Sequence, residues 1–94
     1  MHKPTPLPDL DLLEACFSYD PITGVLTNRQ TGNAIGANDR STEQIKVRVG
    51  RKTTQLQRVA WALYYREDPI NKRITHIDGN PRNNCIANLQ AKKL

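Results

Sequence analysis

Apolar positions recur along this chain in three patterns. Leu10, Leu13 and Phe17 fall at i, i+3 and i+7, with Leu12 and Cys16 beside them. That stripe predicts a short helix running to about Ser18, capped by Asp9 or Asp11. Ile45, Val47 and Val49 then alternate strictly with Lys46 and Arg48. Period two with β-branched residues predicts a strand over Gln44 to Val49, and Gly50-Arg51 can turn it into a partner over Lys52 to Leu56. Val59, Ala60 and Leu63 share one face of a second helix over Gln57 to Arg66, with Trp61, Tyr64 and Tyr65 on its flanks as core and edge packing.

The polar stretches between these patterns read as turns. Asp20-Pro21 ends the first helix, because the residue before proline avoids the αR region. Pro21 to Gly24 then turns into a strand at Val25 to Asn28. Gln30 to Asn33 is a further turn, Ala34 to Ala37 a short strand segment, and Asn38 to Thr42 a loop. Asp68-Pro69 stops the second helix. Residues 1–8 hold three prolines and read as an extended, mobile arm before one domain over 9–94.

The last quarter carries the candidate chemistry. It reads R-I-T-H-I-D-G-N-P-R-N-N-C-I-A-N-L from Arg73 to Leu89. Ile74 and Ile77 mark a short strand that contains His76. Asp78 to Asn84 is a turn-forming loop, and a second apolar run, Cys85 to Leu89, contains Asn88. The pattern predicts a β-hairpin that brings His76 near Asn88, and a histidine held by an amide can act as a general base.

Composition narrows the classes. Ninety-four residues with 37% apolar content suit one domain with a small core. No run approaches the roughly 18 apolar residues of a membrane span, so a membrane partner is not expected. The first eight residues have no apolar run of signal-peptide type, which favours a cytoplasmic location. Cys16 and Cys85 lie far apart in apolar context without C-x-x-C spacing, and read as buried free thiols, not a disulfide or zinc site. Fourteen Lys and Arg against nine Asp and Glu give a net charge of +5, which suits a nucleic-acid partner. The cations mark the sheet and hairpin as the positive side. Lys46 and Arg48 line one strand face, with Arg51 or Lys52 across the turn. A solvated strand face can be basic by chance; alternatively, such a row lies along DNA phosphates.

Taken together, these stretches resemble the HNH endonucleases, in the subtype common in phages and intron-encoded homing nucleases. His76 to Leu89 matches the subtype's H-I-D-G-N-x-x-[D/N]-N-x-x-x-N-L. F-S-Y-D-P-I-T-G-V-L-T, from Phe17 to Thr27, is similar to its F-x-Y-D-P-x-T-G-x-L-x opening, and R-V-A-W-A-L-Y-Y, from Arg58 to Tyr65, to its H-R-x-A-W-x-L-Y-x-G segment. The resemblance implies an α+β fold: a small antiparallel sheet, two short helices and a C-terminal hairpin belonging to a ββα-metal motif. It implies that His76 activates water, that Asn88 orients His76, and that a divalent cation offsets charge on the phosphate. It also implies double-stranded DNA as partner, with Lys46, Arg48, Arg51, Lys52, Arg73 and Arg82 as candidate contacts.

Three departures bear on activity. Thr75 stands where the family places a metal-binding Asp before the histidine. Gln57 stands at the usual His before R-x-A-W. The family continues into a helix bearing a last metal ligand, whereas this sequence ends at Leu94, five residues past Leu89. Asp78 is the remaining carboxylate that could hold a metal. The expectation is therefore a DNA-binding protein on an HNH scaffold, of phage or mobile-element origin, with cleavage impaired or lost and no cofactor. The alternatives are an active nicking endonuclease using Mg²⁺ or Mn²⁺, and a small phage effector that binds and inhibits a host protein.

Overall fold

The first apolar stripe folds into α1 (Leu10–Cys16), with Leu13 fully buried. The computed structural model describes residues 10–36, 45–49 and 52–93. The expectations for the arm at 1–8, the Asp9 cap, the loop at 38–42 and the turn at 50–51 lie outside those residues.

α1 is shorter than its stripe. Phe17, Ser18 and Tyr19 are extended as β1 (Phe17–Tyr19), which pairs antiparallel with β2 (Leu26–Asn28). Arg29 makes this change of conformation possible. Its Nε donates to the carbonyls of Glu14 at 2.7 Å and Phe17 at 2.9 Å, and its backbone N–H to that of Cys16 at 2.9 Å. Carbonyls left open at the helix end thus find donors without another helical turn. Phe17 remains in the core from the strand, whereas Leu12 is 47% exposed and does not widen the stripe.

The Asp20 turn folds as its residues dictate. The Asp20 carboxylate accepts the N–H groups of Ile22 and Thr23, and the Asp20 carbonyl accepts that of Gly24 at 2.7 Å. Asn28 repeats the device on Gln30 and Thr31. The strand expected from Ala34 reduces, among the described residues, to one bridge between Thr27 and Ala34.

The alternating segment forms β3 (Lys46–Val49), paired with β4 (Lys52–Gln55) in the register Lys46↔Gln55, Val47↔Thr54, Arg48↔Thr53 and Val49↔Lys52. α2 (Leu56–Tyr65) follows directly, its first N–H donating to the Ile45 carbonyl at 2.8 Å. Leu56, Val59, Ala60 and Ala62 are buried, while Trp61 packs against Tyr65 at the helix edge with ring centroids 4.3 Å apart. Arg58 is also buried. Its guanidinium donates to the carbonyls of Pro69 at 2.7 Å and Lys72 at 2.8 Å, tying the end of the loop to the helix. Burial lowers the Arg58 pKa, against a raising effect from Asp68.

β5 (Lys72–His76) and β6 (Leu89–Lys93) form the last antiparallel ribbon. The expected strand over Cys85 to Leu89 starts only at Leu89; Ile86, Ala87 and Asn88 make a 3₁₀ turn. The cause is tertiary, because the Ile86 N–H donates to the Pro21 carbonyl at 3.0 Å and holds the loop against the first turn. The fold is α+β, with its described strands in three separate two-stranded ribbons instead of one sheet. Leu13, Phe17, Leu26, Val47, Val59, Ile74 and Leu89 join all of these parts in one core. Cys16 and Cys85 are free thiols, half-buried where burial was expected.

Candidate active site and nucleic-acid interface

His76 closes β5 directly opposite Leu89. Beyond it the Ile77 N–H donates to the Asn88 carbonyl at 2.8 Å, so the loop is pinched at its base. Within the loop, Asp and Asn side chains replace regular secondary structure. Asp78 accepts the Asn80 N–H at 2.8 Å, Asn80 accepts that of Arg82 at 3.0 Å, and Asn83 accepts that of Cys85 at 3.4 Å. These side chains satisfy backbone donors that no ladder reaches.

Asn88 does not hold His76 as expected. Its amide nitrogen donates to Asp78 Oδ1 at 2.9 Å and to the Asn83 carbonyl at 2.9 Å, and its Oδ1 accepts the Asp78 N–H at 3.2 Å. From the 3₁₀ turn Asn88 thus bonds both Asp78 and Asn83 and clamps the loop's two ends. Asn84 takes the expected place instead. Its Oδ1 lies 2.8 Å from His76 Nε2, and its amide nitrogen donates to the Pro81 carbonyl at 3.1 Å. That second bond turns the amide oxygen towards the ring. An amide oxygen only accepts, so the network assigns the proton to Nε2 and leaves the ring's lone pair at Nδ1.

Asn84 is itself held by the first turn. The Tyr19 hydroxyl donates to the Asn84 carbonyl, and burial raises the Tyr19 pKa well above its ordinary value. Gly24, at φ +78°, lies so close that a Cβ there would strike the Asn84 carbonyl carbon and the Cys85 nitrogen. The Y-D-P-I-T-G stretch therefore serves as the seat of the histidine loop. Sequence reading missed Asn84, Tyr19 and Gly24 in this role. The Asn83-Asn84 doublet was visible, but side-chain direction in an irregular loop follows no period.

The donor set can be tested against a divalent cation, which takes oxygen ligands, carboxylates above all. Asp78 Oδ1 accepts from Asn80 and Asn88, and Oδ2 from the Asn83 amide at 3.0 Å. The Asn83 amide foremost, with the Asn80 N–H and the Asn88 amide, brings the Asp78 pKa from 3.8 down to about 2. Asp78 is thus a staple of the loop. Thr75, next to His76 on the strand, falls on the opposite face of the ribbon, and its hydroxyl donates to the Gln90 carbonyl at 3.4 Å. Among the described residues no group of three or more His, Cys, Asp or Glu side chains could hold a metal ion. These residues alone do not fit Mg²⁺ or Mn²⁺.

The basic candidates separate by register. Lys46 and Arg48 are exposed on one face of the β3–β4 ribbon, beside Gln55 and Thr53. Lys52 is exposed but pairs with Val49, which puts it on the other face, at the ribbon's end. It does not belong to the Lys46 row, because a one-residue step in a strand reverses the face. Arg51 lies outside the described residues. Arg73 is exposed on β5, and Arg82 on the loop.

Comparisons with known proteins agree with this geometry. The HNH endonuclease family model matches residues 54–93, which run from β4 to the end of β6. Among solved structures, one described as DNA binding and cleavage by the HNH homing endonuclease I-HmuI superposes with a TM-score of 0.61 at 22% identity. The match covers 92% of this chain and 51% of that one, so the chain spans about half the length of that protein. Among curated proteins no sequence match is found. Residues 54–93, whose second half is the histidine hairpin, are thus similar to the HNH endonuclease family.

Proposed function

We propose that this chain is a DNA-binding protein on an HNH endonuclease scaffold, of phage or mobile-element type, in which metal-dependent cleavage is impaired or lost. Asp78 carries this reading: the carboxylate beside the histidine loop is committed to Asn80, Asn83 and Asn88, while Thr75 supplies only a neutral hydroxyl. A proton acceptor remains without the anionic donors that a hard cation requires. The Lys46–Arg48 row supplies the positive face, and the structurally similar homing endonuclease is described as binding DNA. Double-stranded DNA is the partner proposed.

A second reading, an active nicking endonuclease, is favoured by the tautomer of His76, which leaves Nδ1 free of a proton as a base requires. One experiment separates the two. Supercoiled plasmid is incubated with protein and Mg²⁺ or Mn²⁺, alongside a mobility shift on linear duplex at rising salt. The expected result is a shift that weakens steeply with salt and no nicked circles. Nicking that disappears in His76→Ala would establish the second reading. A duplex that is never shifted would remove DNA binding itself.

A further inference from the structure

The β5–β6 ribbon pairs cations with cations. Its register sets Lys72 opposite Lys93 and Arg73 opposite Lys92. Like charges directly opposite each other across a ladder are destabilising. Here they occupy neighbouring rungs, and Lys72 reaches the Glu67 carboxylate at 3.4 Å. Among the described residues no carboxylate approaches Arg73, Lys92 or Lys93. Arg73 and Lys92 are exposed and share the face turned away from Ile74 and the core. The next pair along that face, Thr75 and Gln90, is uncharged and capable of hydrogen bonding, and it adjoins His76 and Leu89.

We infer that this face of the β5–β6 ribbon is a second phosphate-binding surface for duplex DNA, distinct from the Lys46–Arg48 row and opposite to the face that carries His76. The inference rests on the DNA-binding reading above and adds to it a specific surface. A phosphate backbone is a continuous polyanion, so it can neutralise Arg73 and Lys92 together and relieve the repulsion that the free ribbon carries. Continuing along the ladder, the same strand passes Thr75 and Gln90, whose side chains offer hydrogen bonds without opposing charge.

The test compares the whole chain with Arg73→Gln/Lys92→Gln and with Lys46→Gln/Arg48→Gln. Duplex affinity is measured against salt, and thermal stability is measured without DNA. For Arg73→Gln/Lys92→Gln the slope of log affinity against log salt should shrink by roughly 0.9 per lost phosphate contact, about 1.8 for the pair. Its melting temperature should hold or rise, since a repulsive pair has gone. A variant that had merely lost its fold would melt lower. If this variant binds DNA like the parent while Lys46→Gln/Arg48→Gln binds more weakly, the ribbon surface is refuted and DNA binding stands. If the parent chain shows no salt-dependent duplex affinity, the underlying reading fails and this surface with it.

Discussion

The side-chain oxygen of Asn84 lies 2.8 Å from Nε2 of His76, and the Asn84 amide nitrogen is anchored on the Pro81 carbonyl. One loop asparagine therefore fixes both the ring's position and its tautomer. Asn84 is buried to 2% exposure, so its loss also leaves the Pro81 carbonyl without its donor. Asn84→Ala should cost about 1–3 kcal/mol. In the parent chain, nitrogen NMR of the His76 ring should show the proton on Nε2, and in the variant a mixture of tautomers. Unaltered ring signals would show that Asn84 does not set the tautomer.

Gly24 and Gly32 make a matched pair. Both have φ near +77°, at +78° and +76°, but only Gly24 faces a neighbour, the backbone of Asn84 and Cys85. Gly32→Ala should carry only the left-handed strain, about 1–2 kcal/mol. Gly24→Ala adds an overpacking cost of roughly 1–3 kcal/mol and should displace the histidine loop. Equal losses in denaturant titrations of the two variants would contradict the docking of the first turn on that loop.

Arg58 is expected to be structural. Its two bonds to the Pro69 and Lys72 carbonyls place the start of β5, from which His76 follows four residues later. Arg58→Met keeps the apolar stem and removes both donors, for a loss of roughly 2–3 kcal/mol by chemical denaturation. Arg58→Lys should recover little of it, because one ammonium does not reproduce the guanidinium fork.

Asp78 makes the loop acid-sensitive. Its pKa is lowered in the folded chain from 3.8 to about 2, chiefly by the Asn83 amide. The sign follows from linkage: a depressed carboxylate stabilises the fold fully above its unfolded value and loses that contribution as pH falls towards the folded one. The side-chain amide signals of Asn83 and Asn88 should therefore hold down to about pH 4 and collapse towards pH 2. In Asp78→Asn the acid transition should be absent and those signals altered already at neutral pH.

Much of this was legible in the sequence because it repeats with a period. The Ile45–Val49 alternation gave the exposed Lys46 and Arg48, and the Val59, Ala60 stripe gave the buried face of α2. What could not be read depends on partners distant in the chain. β1 replaces the last turn of the expected helix because Arg29 caps Glu14 and Phe17. Ile86 to Asn88 coil as a 3₁₀ turn because Pro21 claims the Ile86 N–H. Lys52 changed face because strand register, which the turn sets, decides it. At the site, the hairpin and its histidine were evident from the turn residues. The choice between Asn84 and Asn88 was not, since both are asparagines in one loop and only the folded path separates them.

Manganese calorimetry, run on the chain alone and on the chain bound to duplex DNA, tests the central claim most directly. With Asp78 stapled into its loop and Thr75 neutral, the heats should match dilution in both states. A saturable heat that vanishes in Asp78→Asn or His76→Ala would show that this hairpin does hold a divalent cation.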